Sequence, residues 1–289
     1  MDKKFLLFGL GYTGRVVARA LQQRGWQVAA TTRSGRAEDL PGVELWRFDR
    51  DTPLPAAALA GVTAILSTVP PDAAGDPVLD AMEAALVAAT PRWVGYLSTT
   101  GIYGDHQGGW VDETTPPAPT QVRSHQRLAA EQAWQASGLP LHIFRLAGIY
   151  GPGRSAIEQV LAGTARSVVK PGQVFSRIHV EDIAGAILAS LDRPAPGEIY
   201  NLCDDDPAPP QDLIAYACTL LGLPALPDLP WDQAVTLLSP MALGFYADNK
   251  RVSNRKMHEA LGVTLAYPDY RRGLATIATS KTERMHRAE

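Results

Sequence analysis

The stretch Phe5-Leu6-Leu7-Phe8-Gly9-Leu10-Gly11-Tyr12-Thr13-Gly14 decides the fold. Four consecutive apolar residues suit a strand buried on both faces of a parallel sheet. They run directly into a Gly-x-Gly-x-x-Gly turn. Behind it, Val16, Val17, Ala20 and Leu21 recur at helical spacing until Gly25, a C-terminal stop. Residues 27–32 then read as a second strand, which completes a β-α-β unit. A glycine triplet alone is a weak signal, but between a strand and a helix it describes a phosphate cradle. Gly9 permits the tight turn, Gly11 lets the backbone approach a pyrophosphate, and Gly14 allows close packing of helix on strand. The helix start offers unpaired N–H groups and partial positive charge to the phosphates.

Beyond this unit the alternation continues. Strands are expected at 43–48, 64–69, 93–98 and 141–146, with helices at 76–89 and 122–136. After residue 150 the rhythm breaks up. Helices are expected at 157–164, 180–191 and 211–221, a strand at 198–202, a proline-rich connector at 224–230 and a polar, frayed end at 279–289. The implied fold is α/β, a Rossmann-type doubly wound parallel sheet with a smaller, interleaved C-terminal substrate lobe. Residues 1–150, with 180–203 returning to them, make the nucleotide-binding part; 151–179 and 204–289 make the lobe. Ligands of such sheets sit outside the carboxyl ends of the strands. Tyr12 and Thr13 in the turn, and Thr68 in the 64–69 segment, therefore join the three glycines as cofactor-binding candidates.

The 289 residues are 46% apolar and 20% charged, enough for a real core and too apolar for disorder. With 27 basic against 30 acidic residues, a net charge of −3 and no basic run, no nucleic-acid partner is expected. Cys203 and Cys218 make no disulfide framework, and the scattered histidines give no metal-ligand cluster. The apolar run after Lys3 and Lys4 is shorter than the ~7–15 residues of a signal segment. Nothing approaches the ~20 residues of a membrane span. A cytoplasmic protein with a small-molecule substrate and no membrane partner is the expectation.

The second strand discriminates between cofactors. A site for NAD places Asp or Glu about 20 residues past the glycines to hold the ribose hydroxyls. Here Thr31-Thr32-Arg33-Ser34 occupies that place without a carboxylate, and Arg33 can pair with a 2′-phosphate. NADP is expected over NAD, with Arg33 and Ser34 in the cofactor site; a solvated Arg33 is the alternative. Asp49, after the third strand, is a candidate for the adenine amino group or else a turn residue.

Four further segments, in chain order, resemble the extended short-chain dehydrogenase/reductases, the NAD-dependent epimerase/dehydratase group. Ser98-Thr99-Thr100-Gly101-Ile102-Tyr103-Gly104 is similar to that family's S-[ST]-x-x-x-Y-G motif, and Arg145-Leu146-Ala147-Gly148-Ile149-Tyr150-Gly151-Pro152-Gly153 to its R-x-x-x-x-Y-G-P-G. Ile178-His179-Val180-Glu181-Asp182 matches I-H-V-x-D, and Gly197-Glu198-Ile199-Tyr200-Asn201 matches G-x-x-Y-N. The resemblance implies that Thr99 hydrogen-bonds the reacting oxygen, a purely structural bond being the alternative. The family's nucleotide-sugar dehydratases follow that threonine with an Asp-Glu pair. Thr100-Gly101 cannot deliver and remove protons as two carboxyls do, so that elimination is disfavoured.

A sharper departure lies in the next helix. The family's Tyr-x-x-x-Lys puts both groups on one helix face, where the lysine favours the tyrosinate and lets the phenol exchange protons. Here Arg123 stands at the tyrosine and Arg127 at the lysine. Arg127 can keep the ribose-binding role. Arg123 cannot replace the phenol, because guanidinium stays protonated. The chain thus resembles atypical members that keep the cofactor fold without the tyrosine. Tyr103 and Tyr150 follow strands at the carboxyl edge and can stand in for it; His125 lies towards another face of the helix. Tyr103 is taken with Thr99 and Arg127 as the catalytic set. Arg154, Arg177 and Lys250-Arg251 either meet an anionic substrate such as a nucleotide diphosphate sugar or are simply solvated. The family pairs helices 76–89 and 122–136 across a homodimer; their Ala-rich faces serve that contact or the sheet. Three functions stay open: an NADP-preferring oxidoreductase or epimerase-like enzyme acting at a carbinol or carbonyl carbon, a dinucleotide-binding regulatory or sensor protein without turnover, and a structural Rossmann-like partner that binds no nucleotide.

Overall fold

The computed structural model describes residues 3–37 and 40–286. Strand Lys4–Phe8, buried from Phe5 onward, lies inside a seven-stranded sheet. From one edge the order is Ile199–Leu202, Leu141–Leu146, Trp93–Thr99, Val62–Ser67, Lys4–Phe8, Gln27–Thr32 and Glu44–Arg47, and each neighbouring pair is parallel. The winding reverses between Lys4–Phe8 and Val62–Ser67, which opens a crevice at their carboxyl ends.

Alternate residues of each strand enter different layers. Phe5, Leu7, Val28, Ala30, Leu66 and Phe144 pack against helices Tyr12–Gln23, Val180–Asp192 and Arg255–Leu261. Leu6, Phe8, Ala29, Ile65, Tyr96 and Ile143 pack against Pro77–Ala88 and Val122–Ala136. Burial on both faces is why Phe5 to Phe8 reads as an unbroken apolar run. Asp76, expected inside its helix, is the N-cap instead, accepting from Val78 N–H at 2.9 Å and Leu79 N–H at 3.2 Å.

Helices Ala156–Leu161, Pro210–Leu220 and Tyr270–His286 build the smaller lobe around Ile157, Ile214, Ala217, Leu274 and Ile277. The end expected to fray from residue 279 is helical as far as His286; residues 287–289 lie outside the described part. The expected 224–230 connector carries a strand, Asp228–Pro230, paired with Ser167–Val169. The chain also returns to the main body once more than the alternation indicates. Arg251–Val252 pairs with Trp110–Val111, and Met257, Leu261 and Leu265 join the layer of Phe5. Among the described residues no helix is long and apolar enough to cross a membrane, and no group of three His, Cys, Asp or Glu can hold a metal ion.

Below the carboxyl edge lies a buried polar network. Arg145, 4% exposed, donates to both carboxylate oxygens of Glu131, from Nε at 3.2 Å and from Nη2 at 2.9 Å. Its Nη1 donates to the Tyr103 hydroxyl at 3.0 Å, which donates to Asn201 Oδ1 at 2.8 Å. Removing one partner of a buried ion pair strands the other charge, at about 3–5 kcal/mol. We expect Glu131→Ala to lose about that much in urea unfolding, and Tyr103→Phe, which removes a neutral hydroxyl, about 1–2 kcal/mol. A Glu131→Ala midpoint equal to the parent's would contradict the role given to this pair.

Candidate functional site

The three glycines do different work. Gly9 has a φ of +91°, and its N–H donates to Thr31 Oγ1 at 3.0 Å. A Cβ there would lie 2.6 Å from Thr68 Oγ1, which itself donates to Gly9 O at 2.7 Å and so ties the turn to the switch point. A Cβ on Gly14 would lie 2.4 Å from Gly9 O, too close for any side chain. Gly11 has an ordinary φ of −81° and nothing within 4 Å of its missing Cβ, so only the space in front of it needs glycine. Helix Tyr12–Gln23 begins there with no side-chain cap and no acid in its first turn. Its N–H groups and positive dipole end face an anion unobstructed, and these residues fit a dinucleotide pyrophosphate.

A cleft of 1020 Å³ runs along this edge. Gly11, Tyr12, Thr13, Gly14, Thr68, Thr99 and Arg127 line it, while Gly9, Arg33, Ser34, Asp49 and Tyr103 do not. Arg33 and Ser34 stand exposed past the end of Gln27–Thr32, where Ser34 Oγ lies 3.4 Å from Thr32 Oγ1. Asp49 closes a turn, accepting from Asp51 N–H at 3.1 Å, and a hydrogen bond from Thr52 is the main reason its carboxyl lies below the usual range.

Tyr103 requires a correction. It is 0% exposed, its hydroxyl is committed to Arg145 and Asn201, and burial pushes the phenol up. That placement removes it from the cleft and from proton exchange there. Tyr150 lines the cleft, but its hydroxyl donates to Asp269 O at 3.3 Å and burial raises its pKa as well. His125 is exposed and outside the lining. His179 caps helix Val180–Asp192, accepting from Glu181 N–H at 3.3 Å.

Thr99 caps the 3₁₀ turn Thr100–Tyr103, its Oγ1 accepting from Gly101 N–H at 3.1 Å. The threonine O–H is left to donate. Arg127 donates from Nη1 to Leu97 O at 2.9 Å and to Tyr96 Oη at 3.2 Å. Among the described residues its guanidinium bonds through Nη1 alone, which leaves Nε and Nη2 for a ligand.

Two neighbours were not legible in the sequence. Ser124, 8% exposed, lies against Gly101, where a Cβ would meet Ser124 Oγ at 2.8 Å and Thr99 Oγ1 at 3.3 Å. Two hydroxyls thus converge on a point that an acidic side chain at 101 would need. Phe245, from helix Pro240–Ala247, lies with its ring 5.3 Å from the Arg123 guanidinium. Arg123, Arg127, Arg154, Arg166, Arg177 and Lys250 line the cleft against two acids, Glu158 and Asp248, so it is locally positive in a chain of net charge −3.

The reversed winding, the glycine cradle and the threonine and arginine beside it define a Rossmann-fold protein of the short-chain dehydrogenase/reductase type. Residues 73–203 match the model of the NAD dependent epimerase/dehydratase family. Protein YeeZ of Escherichia coli (strain K12) is 33% identical over 240 residues, 76% of this chain and 85% of that protein. A functionally unknown conserved protein from Silicibacter pomeroyi DSS is similar at 50% identity, with a TM-score of 0.87 over 96% of this chain and 99% of that one. A dTDP-glucose 4,6-dehydratase from Bacillus anthracis str. Ames, solved in complex with NAD, shares the fold at 18% identity and a TM-score of 0.77, over 98% of this chain and 97% of that one. The chain belongs to the NAD-dependent epimerase/dehydratase family, as an atypical member with arginine at both positions of the Tyr-x-x-x-Lys pair.

Asp204, after strand Ile199–Leu202, is 1% exposed, and neither carboxylate oxygen has a hydrogen-bond partner among the described residues. Burial pushes its pKa up to about 8, with Arg177 pulling the other way. An acid whose folded value lies above its ordinary 3.8 costs stability as pH rises from about 3.8 through about 8. We expect Asp204→Asn to melt above the parent, with the difference growing from pH 4 to pH 8 and then levelling. A difference that does not change with pH would contradict this.

Proposed function

We propose that the protein binds NADP(H) and transfers hydride between the nicotinamide and a carbinol or carbonyl carbon of a small substrate that is polar at its reacting end. The observation that carries this reading is the open face of Gly11 in one cleft with the Thr99 hydroxyl and the unused donors of Arg127. A bound nicotinamide supplies or accepts the hydride. The N–H groups at the start of Tyr12–Gln23 hold the pyrophosphate, Arg127 donates to the ribose, and Thr99 donates to the oxygen on the reacting carbon, where a positioned donor stabilises developing charge.

The preference for NADP rests on Arg33, exposed at the end of the second strand in a segment without a carboxylate. The similarly folded dTDP-glucose 4,6-dehydratase supports nucleotide sugars as one substrate class. The hydroxyls of Thr99 and Ser124 around Gly101 favour oxidoreduction or epimerisation over elimination. The committed hydroxyls of Tyr103 and Tyr150 favour a second reading, nucleotide binding without turnover.

Titration against intrinsic tryptophan fluorescence separates these readings. NADPH should bind more tightly than NADH, and Arg33→Ala should erase about tenfold of that difference. Thr99→Ala should lower turnover about a hundredfold and leave NADPH affinity alone. No response to either nucleotide would sink both readings; binding without oxidation of NADPH across a carbonyl panel would select the second.

A further inference from the structure

We propose that Arg123 holds a carboxylate next to the carbon that reacts, so that the site takes 2-oxo or 2-hydroxy acids. This rests on the hydride-transfer reading and narrows its substrate class. Arg123 lies in the first turn of Val122–Ala136 and lines the cleft with Thr99. Its neighbour Ser124 places Oγ 2.8 Å from the point beside Gly101 that lies 3.3 Å from Thr99 Oγ1. The long side chain of residue 123 therefore starts beside the wall that holds the Thr99 hydroxyl.

Among the described residues no carboxylate pairs with its guanidinium. The guanidinium lies over the Phe245 ring, 5.3 Å from its centre. The acids of the cleft are committed elsewhere. Asp248 accepts from Thr120 at 2.6 Å and lies 3.8 Å from Lys250, while Glu158 accepts from Gly153 N–H at 3.1 Å and pairs with Lys281 at 3.4 Å. A guanidinium with one face against an aromatic ring keeps its N–H edge free, and that planar fork matches a carboxylate with two parallel hydrogen bonds.

In a 2-oxo acid the carboxylate is one bond from the carbonyl carbon, the arrangement that Thr99 and Arg123 can grip together. In the reducing direction the carbon gains hydride from NADPH and the oxygen gains a proton from water; Arg123 keeps its own protons throughout. Val174, Phe175, Leu213 and Ile214 also line the cleft and suit an apolar substituent.

The test uses the NADPH-loaded protein, with unfolding temperature and equilibrium binding as readouts. Its probes are phenylpyruvate, phenylacetaldehyde (which lacks the carboxylate) and inorganic phosphate. Phenylpyruvate should raise the unfolding midpoint, and the other two at equal concentration should not. Arg123→Gln should weaken phenylpyruvate binding by about tenfold or more while NADPH affinity stays that of the parent, and Arg123→Lys should recover part of the loss. The proposal is overturned if Arg123→Gln binds phenylpyruvate as the parent does, or if phosphate or the aldehyde matches it. It is equally overturned if the loaded parent ignores phenylpyruvate. A parent that does not bind NADPH refutes the hydride-transfer reading instead, and this proposal falls with it.

Discussion

The bidentate pair between Arg145 and Glu131 sets the geometry of everything above it. Both side chains are almost wholly buried, with 5% and 2% of their surfaces exposed, so neither charge has a water alternative if the pair opens. Arg145 belongs to a strand and Glu131 to helix Val122–Ala136, so the pair fixes how that helix is rotated on the sheet. Ser124, Arg127 and Glu131 are spaced i, i+3 and i+7 and share one helix face. Holding Glu131 inward therefore turns Ser124 and Arg127 toward the cleft. Trp134, one turn further on, reinforces the same rotation by donating from Nε1 to Asp76 Oδ2 at 3.0 Å.

This pair also explains why separate family-like segments occur together. Tyr103, Arg145 and Asn201 come from three of them, and they form one chain of hydrogen bonds with Glu131. The Asn201 backbone N–H in turn donates to Glu113 Oε1 at 2.7 Å. A change in any one of these residues would leave a buried donor or acceptor without a partner, which costs more than the bond itself contributes. The segments are thus parts of one support lying beneath the site, with few of their polar groups in the site itself.

That distinction separates what was legible in the sequence from what was not. Strand Lys4–Phe8 read correctly because burial on both faces leaves only apolar residues from Phe5 onward, and the tight turn at Gly9 and the close packing at Gly14 followed from their place between a strand and a helix. Tyr103 misled because chain position gives the edge of the sheet but not the direction of a side chain. The 3₁₀ turn Thr100–Tyr103 carries its ring back beneath the strands. Ser124 has no local signal, since its meaning comes from a glycine on another segment. Phe245 sits on a helix with no buried residue, far along the chain, and only tertiary structure brings it to Arg123. The last helix was missed because its polar tail hides an apolar side that needs the lobe, where Leu274 and Ile277 are buried, to show its purpose.

The departures at positions 101 and 123 lie in one cleft, with Ser124 between them. With Ser124 Oγ in the space beside Gly101, an acid there would have to displace a hydroxyl from a tight contact. A site without mobile protons can still lower a barrier by fixed charge, because donors already aimed at a developing negative oxygen need no reorganisation. The positive lining of the cleft supplies that field locally, although the chain as a whole is slightly acidic. In the proposed hydride transfer, replacing the phenol by a guanidinium moves the burden from proton exchange to the recognition of charge, and the proton comes from water.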